Sequence, residues 1–185
     1  MPRPVTKKQL LGMIQQFAAI EAIGTSAVRG QPAGTKKAIQ RVLSRTKLSR
    51  MPRRNRVLFE RWLDRQTERI RHRPPSRAKP WGVARKALNL FLRDCLYNHY
   101  LRTSYGLTSV ERWLEVPLDG VVGRALRRKA KAQGVALPQW PGLKRITAEA
   151  GDQFQAFAEE FADCVDLPAR VFLDNYLWLT NRESG

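Results

Sequence analysis

Asp119 stands where a carboxylate can do chemistry. It follows Pro117 and opens a run, Val121 to Lys131, in which Arg124, Arg127, Arg128 and Lys131 face solvent at helical spacing. A carboxylate at the start of a helix accepts the first free amide hydrogens, here those of residues 121 and 122, and it sits at the positive end of the helix dipole. Placed against something those cations hold, it can also stabilise positive charge that develops there. At the level of residue type, cap and catalyst are both open.

The segment "VPLDGVVGRAL", Val116 to Leu126, resembles the stretch of the helix-hairpin-helix DNA glycosylase superfamily that carries its catalytic aspartate, commonly V-P-V-D-T-H-V followed by an arginine. Val116, Pro117, Leu118, Asp119, Val122 and Arg124 stand near matching places, whereas Gly120 and Val121 replace the family's Thr-His. The resemblance implies that Asp119 supports the developing cationic sugar as a base leaves, and that a lysine attacks in bifunctional members. The family's lysine-bearing hairpin has no counterpart one helix upstream. The nearest candidate is Lys86 in "WGVARKALN", 33 residues before Asp119, a gap closer to that of the archaeal oxoguanine branch. Burial in an apolar helix beside Arg85 predicts a depressed lysine pKa, as a Schiff-base amine requires; the alternative is a lysine that contacts phosphate.

A second constellation is "RDCLYNH", Arg93 to His99. It resembles the Arg-polar-x-x-x-x-His signature of HEPN ribonucleases, which implies RNA cleavage by Arg93 and His99 with Asp94 as the polar residue. Six residues on a regular helix put the two ends about 120° apart, so the match requires a distorted helix end.

The charge distribution indicates what such groups would act on. The chain carries a formal charge of +18 over 185 residues, and residues 36–79 hold 16 Lys and Arg against Glu60, Asp64 and Glu68. Residues 146–185 reverse the sign, with 2 bases against 8 acids. A concentration of this size needs a counter-charge, and arginine forks match phosphate oxygens and stack on bases. Nucleic acid is therefore the expected partner, with duplex DNA favoured over RNA, and the acidic end is left without an assigned contact. No recognition helix with clustered Asn, Gln and Arg is indicated, so the contacts should be to backbone phosphate.

The candidate phosphate contacts fall on four segments. Lys36, Lys37, Arg41 and Arg45 project from one helix; Arg53 and Arg54 precede a second, on which Arg61, Arg65 and Arg69 recur every four residues; Arg71, Arg73, Arg77 and Lys79 occupy "RHRPPSRAK" with His72; and Arg124, Arg127, Arg128 and Lys131 follow Asp119. Trp81, Trp140 and Trp178 are expected in the core, with base stacking as their alternative use.

The elements that must position these groups read as helices throughout. Thr6 with Gln9 forms a capping box ahead of Leu10, Leu11, Ile14, Phe17 and Ala18. Thr35 is placed to cap the next helix, with Ile39, Val42 and Leu43 inward, and Leu58, Trp62 and Ile70 are expected inward on the one after. Prolines make 71–80 an extended basic linker, and 81–101 is the most apolar and central helix. A short helix from Thr108 or Ser109 ends at Pro117; the helix after Asp119 runs to Gln133, with Val121 inward, and stops at Gly134. The acidic pair at 147–182 carries Phe154, Phe157, Phe161 and Val165, then Val171, Phe172, Tyr176 and Leu179.

The expectation is one all-α domain over residues 1–185, with seven to eight helices around 81–101. No metal-ligand cluster, phosphate loop or cofactor motif occurs, and there is no apolar run of membrane-spanning length. Cys95 and Cys164 read as buried thiols of an intracellular, cytoplasmic protein.

Overall fold

Among the described residues, five of the eight α-helices begin at a side chain that accepts a backbone amide from the first turn, namely Thr6, Asn55, Asn98, Asp119 and Thr147. A computed structural model describes residues 3–24, 28, 30–74 and 79–183, and Arg77 of the expected linker lies outside them. Among the described residues there are helices and no strands, as an all-α chain requires. In order they are α1 (Lys7–Ala22), α2 (Thr35–Ser44), α3 (Arg56–Arg71), α4 (Trp81–Tyr97), α5 (His99–Tyr105), α6 (Gly120–Ala132), α7 (Ala148–Cys164) and α8 (Leu173–Glu183). Short 3-10 turns stand at Leu48–Arg50, Leu107–Trp113 and Arg170–Phe172. Among the described residues no helix is long and apolar enough to cross a membrane.

There are two apolar cores, and α4 runs through the first and touches the second with Trp81 at its start. The first gathers Ile39 and Leu43 of α2, Phe59, Leu63 and Ile70 of α3, and Leu88, Phe91 and Leu92 of α4. The second gathers Leu126 of α6, Phe154, Phe157 and Phe161 of α7, and Leu173 and Leu177 of α8. Each large side chain so buried contributes about 1.5–3 kcal/mol relative to exposure. The central placement of α4 follows from its composition, since Val83, Ala84, Ala87, Leu88, Phe91, Leu92, Cys95 and Leu96 leave no wide polar face.

Between the cores runs a buried strap, Leu114 to Leu118, in extended conformation ahead of α6. A buried strap leaves peptide groups that need partners. Gln155 of α7 supplies them: it accepts from Val116 N at 3.1 Å and donates to Val116 O at 2.8 Å. Arg170 donates to the carbonyls of Leu114 and Trp113, and Asp119 is thereby delivered to a fixed place at the end of the strap.

Several faces differ from the periodic reading. Leu10, Phe17, Leu58, Val121 and Leu179 are 40 to 64% exposed, while Ala18, Trp62 and Ile70 are buried as expected, Leu11 and Ile14 partly so, and Ala19, Phe59 and Leu63 join them inside. On α1 the fully buried apolar residues are alanines, so counting large apolar residues shifts the stripe toward the outer side. The expected helix 81–101 is two: Asn98 adopts extended backbone, closes α4 through Asp94 O and caps α5 through Leu101 N. Thr35 does not cap α2; the cap position is Gly34 at φ 82°, and the Thr35 hydroxyl is buried without a partner. Arg71 belongs to α3 rather than to a linker, and Cys164 is exposed.

Candidate functional site

Asp119 serves two partners at once. One carboxylate oxygen accepts from Val121 N at 2.8 Å and Val122 N at 3.0 Å, which makes it the cap of α6. The other accepts from Lys86 Nζ of α4 at 3.2 Å. Residues distant in sequence thus meet at the mouth of a cleft of about 570 Å³, whose wall is completed by Val83, Val121 and the loop Pro141–Arg145. The side chain of Lys86 is 10% exposed and that of Asp119 is 30% exposed, so the pair is reachable from one side. Lys144 and Arg145 bring two more cations to the same loop, and Lys144 Nζ donates to Gly30 O at 2.8 Å. Arg124 folds back toward Gly120 at the cleft edge.

Arg85, the residue before Lys86, points elsewhere. It makes two 2.7 Å hydrogen bonds to Glu115 of the strap and one of 3.0 Å to Asp64. Burial opposes the charge on Glu115, but the Arg85 guanidinium, with Arg170 and Asn89, holds its carboxyl below the usual range. Arg85 is therefore engaged by Glu115, away from the contact that Lys86 makes. Glu115, Gln155 and Arg170 were not among the sequence candidates. A charge set in the apolar run "WLEVPL" was the available signal for Glu115; nothing local marks the other two.

The basic candidates divide among separate places. Arg41 and Arg45 of α2 converge with Arg69, His72 and Arg73 around a hollow of about 360 Å³ that has no acid in its lining. Arg65 and Arg61 stand exposed about one and two turns back along α3. Lys37 is exposed at the start of α2, where Lys36 is half-buried. Arg124, Arg127, Arg128 and Lys131 line a second groove, of about 510 Å³, floored by Leu137 and Trp140. Trp140 lies so close to α6 that a Cβ on Gly123 would meet its ring at 2.3 Å, and it sets its edge against Phe154. Trp81 likewise packs over Gly151, whereas Trp178 is 49% exposed, against the expectation of a core position.

Four candidates stand apart from these two places. Arg71 donates to Glu68 and to Lys79 O, and Arg71 and Lys79 line a wide cleft of about 820 Å³ together with Glu60, Asp64, Asp152 and Glu159. Arg53 and Arg54 line a separate hollow by Gly106, with Arg53 donating to Tyr105 O. The acidic end is in part the internal counter-charge: Glu159 of α7 pairs with Arg56 and Arg170, and Asp174 of α8 pairs with Arg93.

That last pair bears on the Arg93–His99 constellation. Nε and Nη2 of Arg93 donate to Asp94 and Nη1 donates to Asp174, so every nitrogen of the guanidinium is engaged by a carboxylate. His99 lies beyond the break at Asn98, exposed at the first position of α5 and edge-on to Tyr100. The distorted helix end that the motif requires is present, but the arginine is not turned outward. Among the described residues no group of His, Cys, Asp and Glu is arranged to hold a metal ion. The chain matches no protein-family model, no curated protein and no solved structure.

Proposed function

We propose that the protein binds the phosphate backbone of duplex DNA and removes a base at the Lys86–Asp119 cleft. The observation that carries the reading is the 3.2 Å contact between Lys86 Nζ and Asp119 Oδ2 at the mouth of a cleft flanked by Lys144 and Arg145. The α2–α3 hollow supplies convergent arginines with no acid in the lining, as backbone phosphate asks, and the α6 groove supplies more.

In this reading the N-glycosidic bond breaks with its electron pair leaving on the base. Asp119, held by two backbone amides, stabilises the cationic sugar. The Lys86 amine bonds to the sugar carbon and gives up a proton, and the carboxylate it already touches is placed to take it. The C1′–O4′ bond then breaks, the ring oxygen taking the proton back from that carboxylate, and the opened sugar is left as an imine on Lys86 that borohydride would trap.

A non-catalytic backbone binder is the second reading, and one observation favours it: Asp119 already has full employment as cap and counter-ion. The ribonuclease reading stands behind both, because Arg93 is committed to two carboxylates. The deciding experiment measures base release and borohydride trapping on duplexes carrying oxidised, alkylated or deaminated bases, with RNA cleavage in parallel. Trapping that Lys86→Gln abolishes supports base removal. No release and no trapping on any duplex leaves the binder reading, and RNA cleavage that disappears in Arg93→Ala and His99→Ala would install the ribonuclease.

A further inference from the structure

Four of the six large apolar side chains of α1 point away from its own core, whereas Leu11 and Ile14 are partly buried against it. Its buried face consists of Gln15, Ala18, Ala19 and Ala22, while Leu10, Met13, Phe17 and Ile20 are 40, 61, 64 and 44% exposed. A helix packed only against its own domain does the reverse, burying large apolar residues and showing polar ones. The four exposed residues follow one another at intervals of three, four and three, the spacing of the a and d positions of a helix–helix seam. At 1.5 Å per residue the row runs about 15 Å along one side of the helix. From Gln9 to Ile20 the helix has no charge, in a chain of net +18, so the row offers nothing to a polyanion.

We propose that this row is the contact between two copies of the chain, packed α1 against α1 in antiparallel fashion about a two-fold axis. A two-fold contact uses one patch twice, so the patch must match its own reversal. Reversed about the point between Met13 and Phe17, the row sets Leu10 against Ile20 of the partner subunit and Met13 against Phe17 of the partner subunit. The charges at the ends choose the direction. At 100° per residue Lys7 and Glu21 lie about 40° apart, on the same flank of the row, and both are exposed. Antiparallel packing brings each Lys7 to the Glu21 of the partner subunit, whereas parallel packing puts the two flanks on opposite sides of the seam, where neither residue meets an opposite charge. Glu21 has no ion pair among the described residues, and the group of α4 whose field it shares is Asp94, of the same sign. It lacks a cation that a second copy supplies.

One helix pair of this length lies at the small end of stable interfaces, so the dimer should dissociate in the micromolar range. This inference is independent of the nucleic-acid reading. The test is sedimentation equilibrium of the full chain across that range, with circular dichroism to confirm folding. Wild type should move from monomer to dimer with concentration, Phe17→Glu should stay monomeric with unchanged helicity, and the milder Met13→Gln should weaken the dimer. Lys7→Glu and Glu21→Lys should each weaken it, and the two changes together should restore it. A wild type that is monomeric throughout, or a dimer that persists in Phe17→Glu, overturns the contact; failure of the double exchange to restore association overturns the antiparallel arrangement.

Discussion

Arg85 and Lys86 are consecutive residues of α4, and each makes an ion pair with a carboxylate from the same short stretch, Glu115 and Asp119. Consecutive helical positions diverge by about 100°, which sends one side chain into the junction of the two cores and the other to the rim of a cleft. The Arg85–Glu115 pair is double, 2.7 Å in each arm, with side chains 7% and 6% exposed. The Lys86–Asp119 pair is a single contact with a partner 30% exposed. Neither Arg85 nor Glu115 can be exchanged for a ligand without leaving a buried charge unmatched, which costs more than the pair contributes. The second pair can open toward a ligand, because water reaches it and the Asp119 cap hydrogen bonds survive on the other oxygen. One pair is closed off as architecture, and its neighbour is the pair open to exchange of a partner.

The largest expected effect breaks the architectural side. Glu115→Gln removes the buried carboxylate of Arg85 and leaves the nearly buried guanidinium only the exposed Asp64 as counter-ion, and urea unfolding should show a loss of about 3–5 kcal/mol. A loss below about 1 kcal/mol would mean that the two pairs do not differ as described.

Next comes the chemical side. Asp119→Asn should lower base release from a cleavable duplex by at least about 100-fold, since a neutral amide cannot stabilise a cationic sugar. Because asparagine caps about as well as aspartate, unfolding free energy should change by less than about 1 kcal/mol. A variant that loses stability and activity together would put Asp119 with Glu115 as a structural group.

A smaller effect separates the hollow from the cleft. Replacing Arg41, Arg45 and Arg69 by Gln should weaken binding to all duplex sequences alike and reduce the slope of log affinity against log salt by up to about 0.9 for each phosphate no longer neutralised. Affinity that is insensitive to salt in the wild type would remove the phosphate reading altogether. The least effect is a slope in acid. Glu115 has a folded pKa below its unfolded value, near 4.5, so its contribution is present above that value and is lost as pH falls through the folded one. Asp94 and Asp174 are pushed upward by burial, and their contribution has the opposite sign, present at low pH and lost as pH rises through their folded values. Glu115→Gln should flatten the acid side of the stability profile; an unchanged acid limb would assign that limb to other carboxylates.

What the sequence made legible follows from which forces are local. Capping by Thr6 and Asp119, the stop at Gly134 and the phenylalanine row of α7 depend on residues within a few positions of one another, and they stand as expected. Packing partners do not obey that limit. Whether Leu58 or Phe59 turns inward on α3 depends on what α4 presents, and the periodic pattern admits both until the second helix is in place. The meeting of Lys86 with Asp119 was approached through a short resemblance; its geometry rests on a strap held by Gln155 and Arg170, two polar residues that no local pattern distinguishes.

Gly82 at the start of α4 shows how the cleft loop keeps its shape. A Cβ at this position would lie 2.3 Å from Cγ2 of Ile146 and 2.4 Å from the carbonyl oxygen of Leu143, so the bare helix backbone at Gly82 rests directly on the loop, against one loop carbonyl and one loop side chain. Lys144 and Arg145 are carried by the segment pressed against that contact. A loop fastened in this way has given up its conformational freedom during folding, and little is left to lose when an anion arrives. Encounter at the cleft should then resemble docking onto a rigid rim, with association paced by diffusion and charge rather than by closure of the loop.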